Sequence, residues 1–392
     1  MNQNAEKMRG IELLLNSNDK VISTRRPRMS KKLCFEFKNR TKIIDATIIR
    51  KIICFVNTIR KFYPTISCRI YFDLGDIVFK DKISCTILES ICFILIDRFR
   101  YTVRVTYRIL PSIESEGGRT SPLTLLRDGK KSSCDEYIRQ FCDSLYKNHY
   151  RKVVQAETNG PMLSYEMTNI ESFLKYGGVG RKYAKELAKV IAELIGNANE
   201  HTCGDCLVDI DIANNYYNKS SHKKAIGVNV AVINYSPIKL GYYVRKRLFE
   251  DSNLPEPYFK VRDAYNFHKA FFGENYTEED FFNVASFQHR VSGDMKKFCT
   301  GGTGLTQLLH SLENYAEAHK CYFISGQRGL WFFQDEITTK GNRGVGFNKE
   351  NDFFCHKPSE NTIANCIINV PGTAYNLTFI FPESMEESYG DD

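Results

Sequence analysis

Hydrophobic residues recur along positions 33–110 in two alternating rhythms. Leu33–Phe37 alternates side chains in the manner of a strand. Ile43, Ile44, Thr47, Ile48, Lys51, Ile52, Phe55, Val56 and Ile59 then return at helical spacing and stop before Pro64, which cannot continue a helix. Ser67–Leu74 predicts a second strand, Lys82–Arg98 a second helix and Tyr101–Leu110 a third strand. This alternation predicts a small α/β domain over residues 31–112. Residues 113–155 contain Pro122, Gly117-Gly118 and the polar run around Lys130-Lys131-Ser132-Ser133. They read as a connector with a short helix near Glu136–Tyr146.

A second pattern begins near residue 156. Tyr183, Leu187, Val190, Ile191, Leu194, Ile195 and Ala198 form one apolar arc of a helix over Arg181–His201. Leu207–Ile212 and Gly227–Asn234 follow as strands. Residues 237–300 are a long segment rich in Phe, Tyr and charge, whose aromatics from Tyr265 to Phe287 read as packing. Leu305–His319 is helical, Cys321–Ser325 and Leu330–Gln334 are strand-like, and Leu377–Phe381 is a final strand. A helix layer against one mixed or antiparallel sheet is expected. The chain therefore reads as α/β in two domains, with no internal repeat.

Composition narrows this only at the margins. Hydrophobic residues at 42% and charged residues at 26% fit an ordinary soluble protein. The apolar run Ile91–Ile96 is far short of the ~20 residues of a membrane span. Met1–Lys20 carries no signal-like apolar stretch, so a cytoplasmic location is expected. The odd count of 13 cysteines points to reduced thiols, with Cys54, Cys92 and Cys366 as small core residues. Cys203-Gly204-Asp205-Cys206 lacks a second pair at zinc spacing and reads as a turn ahead of a strand. The net charge of +8 is concentrated partly in Arg25-Arg26-Pro27-Arg28 and Lys31-Lys32. Residues 1–30 thus read as a basic arm. It could meet nucleic acid, although no base-reading motif accompanies it and a solvated face is favoured. Residues 385–392 form an acidic tail.

The candidate chemistry lies in two places. On the 181–201 helix, Asn197 lies about 40° from Glu193 and Glu200 about 20° on its other side, so the three share a face, with His201 about 80° away. An Asn oxygen is a hard ligand for Mg²⁺, and a carboxylate one turn away can orient or deprotonate water. Gly301-Gly302-Thr303-Gly304 permits close backbone approach to an anion, and Leu305 opens a helix whose amide groups face that loop. No Gly-Lys-Ser/Thr follows, which excludes a P-loop.

These residues carry a resemblance. Glu193-Leu194-Ile195-Gly196-Asn197-Ala198 resembles the N-box of the GHKL ATPases, and His201 resembles the His that ends this box in anti-sigma-factor serine kinases. Gly302-Thr303-Gly304-Leu305 is similar to the family's second glycine box, and Pro371-Gly372-Thr373 to its last-strand Gly-Thr motif. The resemblance implies a Bergerat-fold α/β sandwich over residues 156–384, a lid over 237–300, and ATP and Mg²⁺ as ligands. It implies Glu193 as general base and Asn197 as Mg²⁺ ligand. Gly301, Gly302, Thr303, Gly304 and Leu305 would lie at the phosphates, with His201 beside the site and Thr373 at the adenine pocket. Where the family has Asp-x-Gly, this chain has Asn234-Tyr235-Ser236, so Asn234 and Ser236 take the adenine positions. Arg290, Lys296 and Lys297 precede the glycine loop.

A second resemblance covers the first domain. Ile70–Asp81 is similar to the core strand and turn of STAS domains. Regulated members carry Ser or Thr after the Asp that matches Asp81, whereas this chain has Lys82, which implies an interaction module. The combined expectation is a regulatory ATP-gated switch acting on protein partners or by self-association, with slow hydrolysis. The alternatives are a protein serine kinase acting on a separate protein and a nucleotide sensor without turnover. No phosphoacceptor helix supports a histidine kinase.

Overall fold

The computed structural model describes residues 8–15, 29–30, 33–64, 67–110, 116–156, 160–202, 204–217, 224–288, 291, 304–315, 320–337 and 345–382. The first sheet contains β1 (Met29–Ser30), β2 (Cys34–Lys38), β3 (Ile43–Ile44), β4 (Arg69–Phe79) and β5 (Thr102–Ile109). Strands β2, β3 and β5 each pair in parallel with β4, and β1 pairs antiparallel with β2. The crossovers between them include α1 (Ala46–Phe62) and α2 (Lys82–Phe93). Asp45 caps α1 by accepting from the Thr47 and Ile48 amides, and Asp81 caps α2 by accepting from Ser84.

Two boundaries differ from the sequence reading. Ile43 and Ile44, assigned to the helix, form β3 ahead of the Asp45 cap. Strand β4 does not stop at Leu74: Gly75, at φ 71°, shifts the register against β5, and the strand continues to Phe79, where Val78 and Phe79 pair with β3.

The second sheet is antiparallel in the order β10 (Tyr322–Trp331), β11 (Ile363–Pro382), β9 (Lys224–Asn234), β8 (Cys206–Tyr217), β7 (His149–Val154), β6 (Asp143–Tyr146). The region between the sheets in sequence contributes α3 (Glu116–Thr120) and α4 (Lys131–Cys142), then β6 (Asp143–Tyr146) and β7 (His149–Val154). The helix expected near Glu136–Tyr146 thus ends at Cys142, and the next residues turn into an edge hairpin. After α5 (Gly160–Tyr176) and α6 (Arg181–Thr202) come β8 (Cys206–Tyr217) and β9 (Lys224–Asn234). The segment 237–288 folds into α7 (Tyr242–Glu250), α8 (Glu256–His268) and α9 (Glu278–Ala285). Tyr265, Phe272, Phe281 and Phe282 stack there into one aromatic cluster, as packing rather than as an open platform. Helix α10 (Gly304–Tyr315), β10 (Tyr322–Trp331) and β11 (Ile363–Pro382) complete the set. The two strands expected at 321–325 and 330–334 are one, bent by a bulge at Gly326, φ 64°, while Gln334 opens a 3₁₀ turn.

The layers run sheet, helices, sheet, helices. One core joins the inner face of the first sheet, α1 and α2 to the back of the second sheet through Leu207, Ala231, Ile233, Tyr235, Ile324 and Ala374. A second core joins the front of that sheet to α5, α6 and α10 through Val208, Val230, Leu377, Ile191 and Leu309. Helix α2 therefore lies between two sheets, and all twelve of its residues are buried. Residues 8–15, inside the stretch read as an arm, include a 3₁₀ turn (Ile11–Leu15), and Met8, Ile11, Leu14 and Leu15 are buried in the first core. No helix among the described residues is long and apolar enough to cross a membrane.

Candidate functional site

The two faces of the six-stranded sheet carry different chemistry. On the front face, one row crosses three strands. Asn234 of β9 is the register partner of Thr373 in β11, which pairs in turn with Ser325 of β10. Alternation along the strands points these three toward the helices, the side to which Val232 and Tyr375 also belong. Gly372, at φ 80°, closes the row: a Cβ there would meet the Asn234 carbonyl and the Ser236 amide, so only glycine permits the approach. Ser325 Oγ donates to the Gly372 carbonyl (2.9 Å) and accepts from the Leu240 amide (3.1 Å). Ser236 Oγ accepts from the Ile238 amide at 3.0 Å, which turns the chain away from the strand.

The Asn234 side chain is fixed by its own donors. Its Nδ2 donates to the carbonyls of Gly204 and Asp205, both at 3.1 Å. With both amide protons taken, the orientation of the carboxamide is set and Oδ1 is the remaining acceptor. That Oδ1 is buried and has no hydrogen-bond partner among the described residues, a state it shares with Oδ1 of Asn148, Asn199 and Asn283. Asp205 anchors the arrangement, since its carboxylate accepts from the Arg9 amide and the Ala156 amide, each at 3.0 Å.

Glu193 and Asn197 lie half-buried on α6, which packs over β8 and β9 and alongside α10. His201 falls on the last turn of α6, Gly304 is the first residue of α10, and Leu305 follows it half-buried. Gly301, Gly302, Thr303, Arg290, Lys296 and Lys297 lie outside the described residues, as do Arg25, Arg26, Arg28, Lys31, Lys32 and Cys203. The structure thus joins Asn234, Ser236 and Thr373 where the end of β9 meets the middle of β11, and keeps Glu193 and Asn197 together on the adjacent helix. Asn199 received no role from sequence, yet it is buried on α6 with Oδ1 unpaired among the described residues. An Asn beside Asn197 in a helix is too common a pattern to have signalled this.

The back face holds a cluster that sequence reasoning missed. Lys82, the first residue of α2, places Nζ 2.9 Å from Asp209 Oδ1 and against Asp211, both on β8. Arg151 of β7 bridges Asp209 and Glu89, and Thr86 Oγ1 donates to Asp209 Oδ2 at 3.0 Å. His149 Nδ1 lies 2.7 Å from Asp211. Glu89 also receives Ser121, and its backbone carbonyl accepts from Tyr137 (2.6 Å). Every charged member of this cluster is at most 2% exposed. Burial alone would lower the Lys82 pKa, but Asp209 and Asp211 more than offset it and hold the ammonium above its ordinary range. Burial likewise pushes Asp209 up, while Arg151, Lys82 and His149 together bring it well below the usual carboxylate range. Ligand atoms of His149, Asp209 and Asp211 lie within 4.8 Å of one another, the spacing of a metal site. Lys82 supplies a cation to both carboxylates, while His149 Nε2 and Arg151 Nε and Nη1 have no hydrogen-bond partner among the described residues.

Comparison of the chain with protein-family models, with curated proteins and with solved structures finds no match.

Proposed function

We propose that the C-terminal region is a GHKL-type ATP-binding module of Bergerat fold, working as an ATP-gated switch with slow hydrolysis. The observation that carries this reading is the buried, unpaired Asn234 Oδ1 beside Thr373. An acceptor held in that state suits a ligand that presents a donor. Adenine presents its exocyclic amino group, whereas guanine presents an oxygen that an acceptor repels. The order of elements supports the same reading: a helix with Glu193 and Asn197, an antiparallel pair ending at Asn234, a helical insertion, a helix beginning at Gly304, and a strand carrying Gly372-Thr373.

In this reading Thr373 and Asn234 hold the base, and the loop before Gly304 meets the phosphates. Glu193 accepts a proton from the attacking water, and Asn197 would hold Mg²⁺. When bound, Mg²⁺ neutralises phosphate charge. The first region, STAS-like in sequence, is the element that the switch moves or presents to a partner. Lys82 occupies the position of the family's phosphoacceptor and is committed to Asp209 and Asp211, so any phosphotransfer would act on a separate protein.

Calorimetry on the full chain tests this. Mg·ATP should bind, and Mg·GTP should bind at least about tenfold more weakly, the equivalent of roughly one hydrogen bond. Absence of Mg·ATP binding, or equal affinity for the two nucleotides, would remove the basis of the proposal.

A further inference from the structure

The tripeptide Asn234-Tyr235-Ser236 faces both ways. Successive side chains of a strand leave on opposite faces, so Tyr235 points away from its two neighbours. It crosses into the back core, where it is 1% exposed and its hydroxyl donates to Ser90 Oγ at 2.8 Å. Ser90 lies on α2 and donates in turn to the Thr86 carbonyl at 2.7 Å. Thr86 Oγ1 reaches Asp209, where Lys82 is held. Hydrogen bonds thus lead from the candidate base-contacting segment to Ser90 and the Thr86 carbonyl on α2, and the Thr86 side chain continues to Asp209.

The backbone of this tripeptide has little freedom to move independently of its surroundings. Gly372 of β11 lies so near the Asn234 carbonyl, and Gly10, at φ 81°, so near the Tyr235 carbonyl, that a Cβ at either position would clash. The Arg9 amide holds the same Asp205 whose carbonyl receives Asn234 Nδ2. Any ligand that draws Asn234 toward itself must move the Tyr235 backbone, and with it a side chain packed in a close-fitting core. Packed cores respond to such displacement by switching between arrangements rather than by stretching.

We propose that Tyr235 is a positioning residue that couples nucleotide occupancy on the front of the sheet to the seating of α2 on its back. This rests on the ATP-binding reading above. The coupling is reciprocal, so loosening the Tyr235–Ser90 contact must alter nucleotide affinity as well.

The test uses the full chain and the variants Tyr235→Phe, Ser90→Ala and their combination, with Mg·ATP binding measured by calorimetry. Hydrogen exchange of residues 82–93 is followed with and without nucleotide. Tyr235→Phe and Ser90→Ala should each weaken ATP binding about fivefold, and the double variant should be no weaker than either, since both remove one contact. ATP should slow exchange across residues 82–93 in the parent, and either substitution should abolish that response. A purely structural role for Tyr235 would not produce the nucleotide-dependent exchange. Unchanged affinity in Ser90→Ala, together with identical exchange with and without ATP in the parent, overturns the coupling and leaves ATP binding intact. Absence of ATP binding in the parent overturns both.

Discussion

The front and back of the six-stranded sheet are made from alternate residues of the same strands, yet they solve opposite problems. The back presents Asp209, Asp211, His149 and Arg151 to a helix that supplies Lys82 and Glu89, and these charges are buried against one another. The front presents Asn234 with one end tied to two carbonyls and the other end without a hydrogen-bond partner among the described residues. Buried charge is tolerated only when compensated, and on the back face the charges compensate one another. A buried acceptor without a partner is costly unless something else provides one, so the front face is where a ligand is to be expected. The two faces differ in charge: His149 Nε2 and Arg151 Nε on the back also have no hydrogen-bond partner among the described residues, but they stand among opposite charges, whereas Asn234 Oδ1 does not.

The sharpest way to break this comparison is at Lys82. Lys82→Met leaves Asp209 and Asp211 buried with one cation fewer, and should cost about 3–5 kcal/mol or prevent folding. Urea unfolding measures it, and a loss below about 1 kcal/mol would contradict the account of the back face. On the front, Glu193→Gln should lower phosphate release by about 100-fold or more and leave ATP affinity nearly unchanged. A phosphate assay beside calorimetry separates those two effects.

Asn234→Asp is the next test. Although Asp is the residue of the GHKL motif, here it would aim a carboxylate at the Gly204 and Asp205 carbonyls in place of two donors. Stability should fall by about 1–3 kcal/mol, and ATP should bind less tightly; tighter binding would show that the carbonyl contacts are not what holds this side chain.

The smallest expected effect concerns pH. His268 Nδ1 lies 2.7 Å from the Tyr276 hydroxyl and Nε2 2.7 Å from the Phe353 carbonyl, an environment that suits the neutral ring. Burial lowers its pKa below the ordinary 6.5. A folded-state value below the unfolded one means that its contribution to stability is full above about 6.5 and is lost as pH falls further. Thermal melts between pH 7.5 and 5 should therefore decline, and Tyr276→Phe should make the decline shallower, because protonation then breaks one bond fewer. Asp209, whose pKa is depressed, adds a separate loss that begins only as pH drops below the ordinary aspartate range near 3.9.

Much of this was legible in the chain. The helix read over Arg181–His201 is α6 over Arg181–Thr202, and Gly227–Asn234 lies within β9, because strong periodicity and a large apolar arc specify such elements locally. The two short strands read around Gly326, and the strand read as ending at Leu74, failed at bulges. There a glycine with positive φ continues a strand that composition alone would terminate. Residues 143–154 read as connector because two short strands with polar positions resemble a loop until a neighbouring sheet accepts them. In Leu207–Ile212, Asp209 and Asp211 alternate with apolar residues, the usual mark of a solvated face. The near-continuous burial of β9 reflects a sheet covered on both sides.

The sequence by itself determined which residues could carry chemistry and in what order, because residue type, helical phase and glycine placement are local properties. It also put Lys82 directly after Asp81. Only the tertiary structure decided that Lys82 faces Asp209 and Asp211, that Asn234 is tied at Nδ2 and unpaired at Oδ1, and that Tyr235 joins one face of the sheet to the other. Those outcomes depend on which surface covers each face of a strand, and for Lys82 and Tyr235 that surface comes from residues more than a hundred positions away.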